Sequence, residues 1–135
     1  FSGNPLAHLK KLSGSCFFGN TWMIRKKTNQ QYAFDTTMTH GEDLWFYLSI
    51  TDGGLYEFTE EIVLKYRQGT NSAMTDIAGL SKGYARLYKN ISGKFNISFF
   101  SGVYLFLKIK KIIFLSYLSK NKPRKALLYL IKPHL

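Results

Sequence analysis

THGEDLWFYLSITDGG, residues 39–54, sets two adjacent carboxylates, Glu42 and Asp43, before an apolar run that ends in Gly53-Gly54. The spacing predicts a helix. Thr39 and Glu42 fit a T-x-x-E capping box with Thr39 as N-cap. Leu44, Leu48 and Thr51 share one face, and Trp45, Phe46 and Ile50 widen it. Gly53-Gly54 supplies a left-handed stop. Two readings stand for the acidic pair. As helix-start residues, Glu42 and Asp43 would contribute about 1 kcal/mol through capping and the helix dipole. As reacting groups they need a fixed position, partial desolvation and a neighbour that tunes the pKa. A helix N-terminus beside Trp45 and Phe46 offers rigidity and a dry wall, and it favours the ionised form that a base requires.

Outward from this helix, residues 4–14 (NPLAHLKKLSG) predict a short helix. Asn4 is its cap, Pro5 suits its first position, and Gly14 ends it. Residues 16–18 and 21–24 read as short strands around a Gly-Asn break, and residues 55–58 and 62–66 as two more. A second helix is predicted over residues 75–90, with Ala78, Leu80, Tyr84, Leu87 and Tyr88 as apolar contributors. Residues 97–118 are long and apolar enough to span a bilayer. Lys108, Lys110 and Lys111 lie near the middle, where each is costly in hydrocarbon. An amphipathic helix or a helix hairpin is therefore preferred to a membrane span. SKNKPRK, residues 119–125, is a basic hinge, and Pro123 opens a last short helix over residues 124–131.

A chain of 135 residues with 45% hydrophobic and 16% aromatic residues suffices for one ordinary folded domain. It starts with Phe1, and residues 1–10 lack the pattern of a signal peptide, so it reads as a piece of a longer protein. The single cysteine, Cys16, allows no internal disulfide and is expected to be a small buried apolar residue. The net charge of +11 is uneven. Residues 1–76 hold 7 of the 19 basic and all 8 acidic residues, which leaves 12 basic and no acidic residues for 77–135. Such asymmetry points to an anionic surface as partner. Nucleic acid is not the expected one, because no reader motif is present. His8, His40, His134 and Cys16 lack metal-ligand spacing. There is no G-x-S-x-G and no glycine-rich phosphate loop.

In chain order stand I-R-K at 24–26, G-E-D-L-W-F-Y-L at 41–48, Gly53-Gly54, the strand candidate 62–64, and Tyr66-Arg67 with Asn71-Ser72. This order, over residues 15–72, resembles the C-terminal half of family-2 glycosyltransferases of the GT-A fold. The resemblance implies an α/β fold. Residues 1–76 would be the acceptor-side part of the catalytic domain, and residues 77–135 a basic, apolar, mainly helical extension. It implies that Asp43 is the base of an inverting transfer, taking the proton of an acceptor hydroxyl as that oxygen attacks the anomeric carbon. Glu42 would orient the acceptor or support the helix. Trp45 would wall the acceptor site or simply pack in the core. Arg67 would face the anionic donor or pair with Glu60 or Glu61. His40 would touch the acceptor or lie on plain surface.

Two departures from the family pattern matter. Gly69 stands where the family often has a His, so no metal ligand is assigned. No D-x-D occurs, since Asp35, Asp43, Asp52 and Asp76 each lack an acidic residue two positions away. The resemblance implies Mg or Mn under the diphosphate of a nucleotide sugar in the intact enzyme, held by a half that this sequence does not contain. The 135 residues alone are thus expected to bind nucleotide sugar poorly and to turn over nothing. Relatives that act on lipid-linked glycans imply a place at the inner face of the cell membrane in a bacterial cell, serving polysaccharide synthesis. So much apolar surface would also favour self-association. The rival reading is a non-enzymatic, membrane-surface or partner-binding module in which Glu42-Asp43 only caps a helix.

Overall fold

The computed structural model describes residues 1–16, 22–51, 53–65 and 75–131. Five helices follow one another among these residues: α1 (Leu6–Lys10), α2 (Glu42–Ile50), α3 (Ile77–Lys94), α4 (Phe99–Ser119) and α5 (Pro123–Ile131). Each packs on the next in the order α1–α2–α3–α4–α5.

The expected α/β class is overturned. The described residues are 54% helix and 2% strand, with no sheet among them. Extended pairing is confined to one antiparallel bridge, in which Gly3 and Tyr56 exchange N–H···O bonds of 2.8 and 2.7 Å. Residues 22–24, 55–58 and 62–65 form no ladder, and residues 17–21 and 66 lie outside the described residues. The reason is burial. A strand of a parallel sheet must be covered on its faces and paired at its edges. Leu55 is 84% exposed and Ile62 88%, so these short apolar runs have neither. Short apolar runs bounded by Gly do not by themselves distinguish strand from coil.

The helices have local causes. The N-cap of α1 is Pro5 rather than Asn4, which lies one residue further out and accepts from the Leu6 N–H at 2.9 Å through Oδ1. α1 also stops early: Leu12, not Gly14, takes the left-handed conformation (φ 51°), and the Ser13 N–H closes the end on the His8 carbonyl at 2.9 Å. The Asp76 carboxylate caps α3 by accepting from the Gly79 N–H at 3.0 Å. Ile77, Leu80, Gly83, Leu87 and Ile91 recur at three- and four-residue spacing and are buried. The Ser98 hydroxyl caps α4 through the Ser101 N–H at 3.3 Å. Leu105, Ile109 and Ile113 form its inner line, all at most 1% exposed. A hinge then turns the chain back: Asn121 is left-handed (φ 53°), and the Lys122 N–H bonds the Tyr117 carbonyl at 3.0 Å. Each fully buried Leu or Ile here contributes roughly 1.5–3 kcal/mol of transfer free energy.

Residues 97–118 hold no internal hairpin: Phe99–Ser119 is the one continuous helix α4, which pairs with α5, and no helix among the described residues is long and apolar enough to cross a membrane. Lys110 is 4% exposed. Its Nζ reaches across the hairpin to the Tyr129 carbonyl at 3.2 Å and lies 4.6 Å from the Tyr129 ring centroid. The charge thus bonds one of the last carbonyls of α5, where a cation is favoured. The Tyr129 hydroxyl also receives the Ser81 hydroxyl at 3.2 Å, which ties α5 to α3.

Candidate functional site

The capping box does not form. Gly41, in the left-handed conformation (φ 76°), is the N-cap of α2, and its carbonyl accepts the Trp45 N–H at 3.0 Å. Thr39 lies two residues outside the helix, with its hydroxyl 3.2 Å from His40 Nδ1. Glu42 is then the first helical residue rather than the third, too early to reach back to a Thr39 cap. Its Oε2 is sealed from solvent with no hydrogen-bond partner among the described residues.

What holds this corner is a notch in α3. A Cβ at Gly83 would collide with the His40 carbonyl oxygen and come within 2.6 Å of the His40 Cβ. A Cβ at Gly79 would collide with the His40 ring. The two glycines, four residues apart on one helix face, let the loop entering α2 lie directly on the α3 backbone. Next to the notch, Leu87 of α3 and Met38 of the loop flank Gly41. The Asn90 side-chain amide contacts Met38 Sδ at 3.7 Å, and Arg86 pairs with Asp35 at 3.6 Å. α3 therefore grips residues 35–41, and that grip aims the start of α2.

Asp43 projects from this start as an exposed residue. Desolvation by the surrounding protein nevertheless pushes its carboxyl above the ordinary value. The Leu44 N–H, 2.6 Å from Oδ1, works the other way, and the charge of Glu42 adds to the rise. The expectation that a helix N-terminus would favour the ionised form is thus outweighed. The charge of Asp43 also reaches two phenols. Tyr47, one turn along α2, and Tyr84, from α3, are raised first by burial and then by Asp43. The site is consequently an accessible, proton-avid carboxyl with two phenols in its field and a second carboxylate beside it.

Of the residues assigned from sequence, Glu42, Asp43 and His40 come together at this corner. Trp45 does not. Two residues on along a helix is about 200° around the axis; Trp45 packs against the core, with Lys94 Nζ 5.5 Å from its ring centroid. Its core reading is the one the geometry fits. Arg67, with Tyr66, Asn71 and Ser72, lies outside the described residues. Sequence reading missed Tyr47, Tyr84 and the Gly79–Gly83 notch as parts of the site. Tyr47 is four residues after Asp43, and G-x-x-x-G within a predicted helix marks a close approach, so both carried a signal. Tyr84 carried none.

An open groove of about 1130 Å³ lies at the C-terminal end of α2, where Ile50 and Thr51 line it. Trp22, Tyr32, Tyr56 and Phe58 line it, and Asp43 is not among the lining residues. The Trp22 ring meets Tyr47 at 4.3 Å and Tyr56 at 4.9 Å. No three His, Cys, Asp or Glu gather to hold a metal among the described residues. The chain matches no protein-family model, no curated protein and no solved structure.

Proposed function

We propose that this chain is the acceptor-side part of an inverting glycosyltransferase with Asp43 as its base, working at the inner face of the cell membrane. The observation that carries the proposal is that Asp43 is exposed at a helix start which the α3 notch holds in place, in surroundings that raise its carboxyl above the ordinary value. A base must meet its substrate and must hold a proton well enough to take one from a hydroxyl; raising its pKa toward the working pH serves the second need. Rigid mounting on the α3 notch serves positioning. In this reading an acceptor hydroxyl gives its proton to Asp43 as its oxygen attacks the anomeric carbon, and the nucleoside diphosphate leaves with the bonding pair. Glu42 supports the helix start, and its sealed oxygen lies at the same corner. The order of I-R-K, E-D and Y-R along the chain supports the assignment of class. Donor binding falls to a part that this sequence does not contain.

A second reading keeps one observation of its own. The Leu44 N–H donates to Asp43 Oδ1, so Asp43 also satisfies one of the open donors of α2, as a residue that merely starts a helix would. Asp43→Asn in the intact enzyme separates the two. The amide oxygen still accepts from Leu44 but cannot act as the base. Loss of sugar transfer with an unchanged far-ultraviolet circular dichroism spectrum is expected; retained transfer removes Asp43 as the base.

A further inference from the structure

We infer that the α4–α5 hairpin is a docking surface for an anionic lipid bilayer, on which α4 lies in the interface plane rather than across it. The inference deepens the membrane placement proposed above and rests on it, but not on the chemistry of Asp43. α4 buries Leu105, Ile109 and Ile113 on one side. On the opposite side Phe100, Tyr104, Leu107, Leu115 and Leu118 recur at three- and four-residue spacing, with Lys111 completing the stripe. Phe100 is 83% exposed and Leu107 60%. α5 repeats the pattern: Ala126 and Tyr129 are buried, while Leu127, Leu128 and Ile131 face outward, Ile131 at 71% exposure. Isolated exposed apolar residues are ordinary; two consecutive helices with apolar outer faces are not.

Charge decides the occupant. Residues 77–135 carry 12 of the 19 basic residues and none of the 8 acidic ones. A second copy seated on this face would set the same cations against each other. A surface of anionic headgroups complements them. The cations are also placed as an interface requires. Lys111 stands within the apolar stripe on a stem long enough to lift its amine to the headgroups. Lys120, Lys122, Arg124 and Lys125 gather at the hinge, all exposed. No helix among the described residues is long and apolar enough to cross a membrane, and Lys108, Lys110 and Lys111 would each be costly in hydrocarbon, which fits an interfacial orientation.

The test is co-sedimentation of the full 135-residue chain with vesicles of phosphatidylcholine alone and of phosphatidylcholine mixed with phosphatidylglycerol. Binding to the mixed vesicles and release at high salt are expected. Lys122→Gln and Arg124→Gln should each lower the partition coefficient about fivefold. Leu107→Ser, at an exposed position that should not disturb folding, should lower it about tenfold, with circular dichroism as the check on the fold. Equal binding to the uncharged vesicles overturns the proposal. So does no binding to either, and a concentration-dependent dimer that Leu107→Ser dissolves would then assign the face to a second copy. Transfer to a water-soluble acceptor by the intact enzyme is measured separately. Failure of lipid binding with transfer intact rejects only the docking surface; failure of the Asp43→Asn test with lipid binding intact rejects only the base.

Discussion

In residues 1–65 the helices are five and nine residues long, and loops cover most of the distance. In residues 75–131 α3 and α4 run 18 and 21 residues, and the turns between helices are short. The first region shares the apolar core through Leu9, Leu44, Leu48 and Ile50 and adds individual polar links to it. These include the Gly3–Tyr56 bridge, the Gln30 side chain donating to the Ile50 carbonyl at 3.0 Å, and the Asp35–Arg86 pair. The second is fastened mainly by apolar lines at helical spacing. The chemistry follows the same division: the perturbed carboxyl is in the first region, and the uniform positive charge is in the second. A short helix flanked by long loops holds a group in a fixed place only where a longer element backs it. Here that element is α3, which belongs to the other region.

Four changes test this division. On the proposed function, Asp43→Asn in the intact protein should lower sugar transfer by about a thousandfold, the scale of a lost general base, while leaving both regions folded; kcat/KM against a melting curve reads both. Ile109→Ala, in the inner line of α4, should cost about 3 kcal/mol by leaving a cavity. Urea unfolding measures it, and a loss well under 1 kcal/mol would show that the second region does not depend on its apolar lines. Gly83→Ala should cost about 2 kcal/mol, because the new methyl meets the His40 backbone rather than a flexible side chain. It should also move Asp43 and lower transfer, as an effect that crosses from one region to the other.

The smallest effect concerns pH. The folded pKa of Asp43 is raised from 3.8, so the folded state holds that proton more tightly than the unfolded chain. Its contribution to stability is fully present below 3.8 and is lost as pH rises through the folded value. Asp35 is the opposite case. Hydrogen bonds from Thr37, then the charge of Arg86, lower its pKa from 3.8, so its contribution is present above 3.8 and lost as pH falls through the folded value. Melting temperature against pH should therefore change in opposite senses for Asp43→Asn and Asp35→Asn. The same sense for both would show that Asp43 is not desolvated.

The second region was largely legible in the sequence. Periodicity gave α3 as 75–90 against the observed Ile77–Lys94, the apolar run 97–118 became the single helix α4, and Pro123 marked the start of α5. The mid-helix lysines turned the reading of α4 away from a membrane span for a sound physical reason. The first region was legible only at its motifs. Residues 55–58 and 62–65 carry strand-forming residues, but what makes a strand is a neighbour, and a neighbour is not a local property. The start of α2 was read correctly as a helix start with the wrong cap. Gly41 and Thr39 both qualify by type, and the choice is made by α3, through Gly79 and Gly83. Tyr84 joined the site by the same route, as a consequence of packing that no spacing around Asp43 could foretell.

Cys16 is 1% exposed, its thiol is raised in pKa by burial, and it is the chain's single cysteine. Buried and protonated, it should not react with a disulfide reagent until the segment around it opens. The protein thus carries a built-in clock. When opening and closing are fast relative to labelling, the labelling rate under native conditions gives the free energy of opening near α1, without denaturant and without an added probe. Set beside the global value from urea, that number would show whether the two regions come apart together or whether the first opens while the helices of the second stay closed.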